Sequence, residues 1–252
     1  MGATISLRAV VIHNRPHRDQ DAIVTMLSHK HGLLKVMVPG AKKHSSRLAP
    51  LATPPLLGDF VLSESKGFYY LKEGDAVESF KGLYSSFEAL TAASHILEVV
   101  QDTVVDTESA QVIYPLLLYV LYDLSTHAEK YRQIVAAFEW RLMDALGFGF
   151  DLHDCDCGKP NEMPTYAFSF TKCRLFCSNV ACVAKAQDYR FVSSGCVEAL
   201  RYIRDAKLER LSAFHAADYV LDDLSAVTHR YLCERLEKNY DKMSIIDSLP
   251  PV

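Results

Sequence analysis

A chain of 252 residues that is 49% hydrophobic and 23% charged can bury one large core or two modest ones, and it lacks the charge excess of a disordered protein. Its longest uninterrupted apolar run, residues 112–122 (VIYPLLLYVLY), contains Pro115 and falls short of the roughly 20 residues needed to span a bilayer, so it predicts a buried helix. The formal net charge of −4 excludes a uniformly positive surface, yet residues 8–47 hold eight Lys or Arg against two acids, Asp19 and Asp21, and a polyanion contact is therefore expected on one face. The N-terminus MGATISLRAVVIH shows no secretion leader, and seven cysteines, an odd number, do not form an obvious disulfide framework. A reducing cytoplasm is the expected setting.

Five short segments rich in Val, Ile, Leu and aromatics come first: residues 6–13 (SLRAVVIH), 22–28 (AIVTMLS), 33–38 (LLKVMV), 56–63 (LLGDFVLS) and 67–73 (GFYYLKE). Turn chemistry separates them at Asn14-Arg15-Pro16, His31-Gly32, Pro39-Gly40, Pro54-Pro55 and Lys66-Gly67. Five such strands before residue 80 fit a small barrel, and the OB-fold, whose open face commonly takes single-stranded nucleic acid, is the candidate of that strand number.

After residue 80 the period becomes helical. Apolar residues at Leu83, Phe87, Leu90, Ala93, Ile96, Leu97 and Val100 follow one helix face. Thr126 and Glu129 read as a capping box opening a helix through Ile134, Phe138 and Leu142, which stops at Leu146-Gly147. Helical patterns resume at 195–206 and 209–236, while residues 151–189 show no sustained period. The expected architecture is α+β: an OB-fold β-barrel over 1–80, then a helical domain over 81–252 with a cysteine-rich, zinc-ribbon-like insert at about 151–190.

The stretch PGAKKHSSRLAP (residues 39–50) concentrates Lys42, Lys43, His44 and Arg47 beside Ser45 and Ser46 just after the third strand. On a barrel rim such a loop can meet successive phosphates, because backbone contact requires only charge and donors; without a ligand it is a solvated surface loop. Phe60, Phe68, Tyr69 and Tyr70 lie in the fourth and fifth strands. Alternation sends Tyr69 and Tyr70 to opposite faces, one into the core and the other outward as a candidate base-stacking platform.

The insert offers His153, Cys155 and Cys157 (HDCDCG), then Cys173, Cys177 and Cys182 (CRLFCSNVAC). Cys155, Cys157, Cys177 and Cys182 could hold zinc through four thiolates, although C-x-C and C-x4-C replace the C-x2-C spacing of the strongest zinc patterns; the alternative is unmetallated cysteines. Cys196 and Cys233 fall in helical patterns and read as small core residues. The chain has no H-E-x-x-H, Walker loop, G-x-S-x-G or G-x-G-x-x-G, so nothing in it asks for catalysis.

Residues 21–51 (DAIVTMLSHKHGLLKVMVPGAKKHSSRLAPL) resemble the N-terminal signature of RecO-type recombination mediators, and FEWRLMDALGFGFDLHDCDCG (138–158) is similar to that family's helix, acidic loop and first cysteines. The resemblance implies an OB-fold followed by a helical domain and no catalytic activity. It also implies a bacterial, nucleoid-associated protein that binds single- and double-stranded DNA, anneals complementary strands, works with RecR and the C-terminal tail of single-strand-binding protein, and helps load RecA in the RecF pathway. Contact with that acidic, hydrophobic tail would need an apolar pocket edged by a cation such as Arg132, Arg141, Arg201 or Arg204. On this reading Lys42, Lys43 and Arg47 lead the DNA contact, with Arg8, Lys30, Lys35 and His44 as weaker members. An adaptor whose OB-like domain docks another protein, with no intrinsic DNA binding, is the alternative.

Overall fold

In the computed structural model, which describes residues 4–43, 45–158 and 164–248, the first strands close a barrel. β1 (Thr4–His17), β2 (Asp21–Ser28), β3 (Gly32–Val38), β4 (Leu56–Ser65) and β5 (Phe68–Glu78) follow the order β1-β2-β3-β5-β4, and β4 pairs back with β1. Only the β3–β5 pair is parallel. That closed five-stranded arrangement is the OB-fold barrel the strand number predicts. Alternation dictates its interior: Leu7, Ala9 and Val11, Val24 and Met26, Leu34, Val36 and Val38, then Phe60, Leu62 and Leu71 all point inward. Phe60 belongs to this core, so it offers no stacking surface.

Three register shifts bend the strands around the barrel, one of them at Val77, since Leu57 pairs with Glu78 and Gly58 with Ala76. Ile12 is the extra residue of β1, since Val11 pairs with Met26 and His13 with Thr25. Lys72 plays the same part in β5, between Leu71 opposite Leu62 and Glu73 opposite Val61. The expected turn at Asn14-Arg15-Pro16 is not there. β1 runs on through Pro16 to His17, pairing with Ala22 and Asp21. Proline is tolerated because β4 pairs only as far as Val11, so this end of β1 is an edge on its other side.

Two helices complete this unit. Ser86 caps α1 (Phe87–Thr103), and Asp106 forms a reciprocal capping box with Ser109 at the start of α2 (Thr107–Thr126). The apolar run around Pro115 is thus a helix whose Leu116, Leu117, Val120 and Leu121 are buried. The chain packs as two units, Met1–Glu129 with Lys242–Val252, and Lys130–Asp241. Near the chain end, Lys242 reaches the Ser94 carbonyl at 3.0 Å and Glu98 at 3.2 Å.

The second unit begins with α3 (Tyr131–Ala145). The capping box expected at Thr126 does not form. Thr126 ends α2, its hydroxyl donating to the Tyr122 carbonyl at 2.8 Å, and α3 starts at Tyr131, after Lys130, whose side chain does not cap it. The expected stop at Gly147 is real: with φ at +82°, its amide donates to Asp144 while that of Phe148 donates to Met143, a paired glycine cap. The insert without a helical period contains a sheet, β6 (Thr165–Ser169), β7 (Arg174–Cys177) and β8 (Tyr189–Ser193) in the order β7-β6-β8, with α4 (Val180–Ala186) between the last two. α5 (Ser194–Asp205) matches its expectation, but the last long helix, α6 (Asp218–Leu236), starts well after residue 209 because 211–217 adopt no helix. Trp140, Phe150, Phe168 and Tyr231 pack ring against ring at the centre, Phe150 stacked on Phe168 at 4.0 Å.

Candidate nucleic-acid interface

The loop after β3 is held by hydrogen bonds to backbone groups and to the Asp21 side chain. Gly40, at φ +64°, donates its amide to Asp21 Oδ1 at 2.8 Å. The Lys42 amide donates to the Gln20 carbonyl at 3.0 Å and its Nζ to the Arg18 carbonyl at 3.2 Å. Lys43 and Ser46 then close successive turns onto Gly40 and Lys43. The loop is thereby tied to the β1–β2 turn, where Arg18 adopts φ +52°. Lys42, Lys43 and Arg47 are exposed, and among the described residues neither they nor Arg18 form an ion pair.

Arg18 is a member of this cluster that the expected strand over residues 6–13 does not place there; the basic run over 8–47 includes it, and the register of β1 with β2 brings it beside the loop. His44 lies outside the described residues. Lys35 is exposed on the outer side of β3, opposite Thr25. Lys30 sits in the β2–β3 turn, at the other end of that hairpin from the loop. Arg8 is also removed from the cluster: it forms a two-pronged contact with Asp59 at 2.8 and 2.7 Å, and this hydrogen bonding and charge hold the Asp59 carboxyl below its ordinary range. Its neighbours in the adjoining cleft include Glu73 and Asp75, so the local charge there is acidic.

In the second unit the four cysteines singled out by the sequence converge, every sulfur within 4.8 Å of the others. Cys157 Sγ lies 3.6 Å from Cys177 Sγ. Zinc–sulfur bonds of about 2.3 Å place the corners of a tetrahedron about 3.8 Å apart, so the spacing fits a metal of that size. The unusual C-x4-C interval has a local cause. Cys177 ends β7, Asn179 caps α4 by accepting from the Ala181 amide at 3.1 Å, and Cys182 falls in the first turn of that helix. On the other arm, Arg174 holds the loop by pairing with Asp156 at 2.7 Å.

Backbone amides are aimed at these sulfurs. Burial pushes the Cys155 thiol up, but hydrogen bonds from the Cys177 and Cys157 backbones outweigh it and bring it down to about 7. The neighbouring Cys177 thiol, together with burial, drives Cys182 up to about 12. A set of thiols primed to carry one negative charge and crowded against more is what a cation would relieve, and the residues present fit one. Cys173 and His153 stay outside: Cys173 faces the Tyr231 hydroxyl at 3.7 Å, and His153 hydrogen-bonds Asp151 at 2.7 Å.

The four arginines considered for a tail-binding pocket are engaged within this unit. Arg132 pairs with Asp222, Arg141 donates to the Ala206 carbonyl, and Arg201 contacts the Leu152 carbonyl, Asp154 and Glu198. Arg204 pairs with Asp205 and edges a small cleft lined by Trp140, Met143, Asp144, Phe148 and Phe150. Among the described residues no helix is long and apolar enough to cross a membrane.

Residues 1–80 match the family model described as Recombination protein O N terminal, and residues 84–244 match Recombination protein O C terminal. The chain is 33% identical over 241 residues to the DNA repair protein RecO of Acetivibrio thermocellus, an alignment covering 95% of each chain. It is 26% identical over 226 residues to the DNA repair protein RecO of Clostridium perfringens strain 13, covering 90% of each. A similar relative from Desulforamulus reducens is 25% identical and covers 96% of this chain and 94% of its own.

Proposed function

Because this chain belongs to the RecO family of DNA repair and recombination proteins, we propose that it is a non-catalytic DNA-binding mediator. It anneals complementary strands and, in the RecF pathway with RecR, helps load RecA onto single strands coated by single-strand-binding protein. The observation that carries the DNA contact is the convergence of Lys42, Lys43, Arg47 and Arg18 at one end of the barrel without carboxylate partners among the described residues. Cations held by backbone bonds to a rigid barrel can follow phosphates while leaving base edges free to pair. Two strands bound in this way have their mutual repulsion screened, and pairing between them follows. Contact with the acidic, hydrophobic tail of single-strand-binding protein belongs to the same reading, and none of Arg132, Arg141, Arg201 and Arg204 marks its site, since each is engaged within its own unit.

The same reading assigns a zinc ion to Cys155, Cys157, Cys177 and Cys182 as a structural element. Four thiolates complete a tetrahedral shell, and the ion would then hold the 151–158 loop to β7 and α4.

The deciding experiment compares annealing of complementary oligonucleotides by the wild type and by a Lys42→Ala, Lys43→Ala, Arg47→Ala variant. Acceleration that is lost in a variant with unchanged melting supports the loop as the site. Acceleration that persists moves the site elsewhere, and no acceleration by the wild type favours a protein-docking adaptor.

A further inference from the structure

Backbone contact alone would treat single and double strands alike, and the barrel carries two rings that such a contact does not use. Alternation separates Tyr69, which packs on the barrel interior, from Phe68 and Tyr70, which leave on the outer side. Phe68 is 63% exposed. It follows the tight Lys66-Gly67 turn, where both residues have positive φ, so the hairpin presents the ring at its tip.

β3 runs parallel to β5 with Val36 opposite Tyr69 and Met37 opposite Tyr70. The register therefore sets Lys35 beside Phe68 and Met37 beside Tyr70 on one outer surface. Lys35 and Lys66 form no ion pair among the described residues. Glu64, the acid nearest the tip of this hairpin, is opposite Tyr69 and so alternates to the other side, while Glu73 and Asp75 lie farther along β5, in the cleft beside Arg8 and Asp59. From Lys35 the strand leads straight to Gly40 and the cationic loop, about 17 Å at the usual rise of a strand. Two outward rings thus flank a line of unpaired positive charge that continues into the proposed phosphate contact.

We propose that Phe68 and Tyr70 stack against unpaired bases of a single nucleic-acid strand whose phosphates follow Lys35 and the 39–49 loop. This surface selects single strands, because a duplex keeps the faces of its bases covered. The inference rests on the nucleic-acid reading above. Stacking needs only the π-face common to all bases, so no sequence preference accompanies it. A purely apolar protein partner fits this surface less well, because Lys35 and Lys66 would lose hydration without gaining a counter-charge.

The test separates rings from charge by using two probes, oligodeoxythymidine and an abasic single strand of the same length and charge. The wild type is expected to bind the thymidine strand at least about fivefold more tightly. Phe68→Ala and Tyr70→Ala should each reduce that preference and leave both abasic affinity and melting temperature unchanged. Phe68→Trp should keep the preference and show fluorescence quenching with the thymidine strand only, since the chain's single native tryptophan, Trp140, is buried. Equal wild-type affinity for the two probes, or a preference that survives both alanine substitutions, overturns the stacking surface and leaves the backbone reading standing. Binding of neither probe overturns the nucleic-acid reading and the stacking surface with it.

Discussion

Cys157 and Cys177 lie twenty positions apart in the chain, yet their Sγ atoms are 3.6 Å from each other. No disulfide joins them or any other pair of the described cysteines. Two thiols from a loop and two from a strand end and helix start thus meet at one point, the arrangement that a four-thiolate metal site requires. Cys177→Ser is expected to lower bound zinc from one equivalent to well below one. It should destabilise the second unit by several kcal/mol, which for a chain of this size lowers melting by about 10 °C or more. Stoichiometric metal in the variant, with unchanged melting, would rule out this ligand set.

Arg8 and Arg18 are both exposed arginines of the same strand region, but among the described residues only Arg8 has a carboxylate partner, Asp59. Arg18→Ala should therefore weaken single-strand binding and reduce the slope of log K against log salt by about 0.7, the value for one lost phosphate contact. Arg8→Ala should leave that slope unchanged. A salt titration of the two variants beside the wild type reads both outcomes, and a larger loss from Arg8→Ala would mean that the DNA path crosses the β1–β4 face.

The barrel was legible because alternation with one buried face is a local signal: Leu34, Val36 and Val38 inside and Lys35 outside can be read from four letters and a spacing. The cysteine set was legible for a similar reason, since few other residues compete for that chemistry. Arg18 was not. Its place beside Lys42 depends on a strand continuing through Pro16, which local turn chemistry argues against and which only the one-sided pairing of β1 permits. The β6–β8 sheet also escaped, because its strands are only four or five residues long and both faces of Ala167 and Phe168 are buried, so no polar alternation marks them. The capping box at Thr126 shows the reverse error, a correct local pattern overridden when α2 extended far enough to absorb its first residue.

Two glycines separate lack of space from backbone conformation. A Cβ on Gly82 would lie 1.8 Å from the Ser125 carbonyl oxygen, so Gly82→Ala forces apart the turn before α1 and the end of α2, at a cost of about 3 kcal/mol or more. Gly67 has open space around it but φ at +77°, and Gly67→Ala should cost only about 1 kcal/mol through the strained turn. Denaturant melts of both variants test the ranking. A Gly82→Ala protein as stable as the wild type would mean that these two segments do not approach so closely.

Glu139 is buried in α3 and uses one carboxylate oxygen to accept from Thr228 at 2.8 Å and the other to meet His229 Nδ1 at 3.0 Å. Contacts with Cys233 and with Glu139 raise His229 to about 10, against the opposing effect of burial. The sign follows directly. A folded-state value above the unfolded 6.5 means that protonated His229 stabilises the fold, fully below about pH 6.5 and progressively less as pH rises towards 10. The melting-temperature difference between wild type and His229→Ala should accordingly be greatest at pH 6 and shrink steadily to near zero by pH 10. Because the imidazole is partly exposed, solvent screens the pair and the difference is expected to be modest in size. A difference that grows with pH would mean that the ring is held neutral in the folded protein.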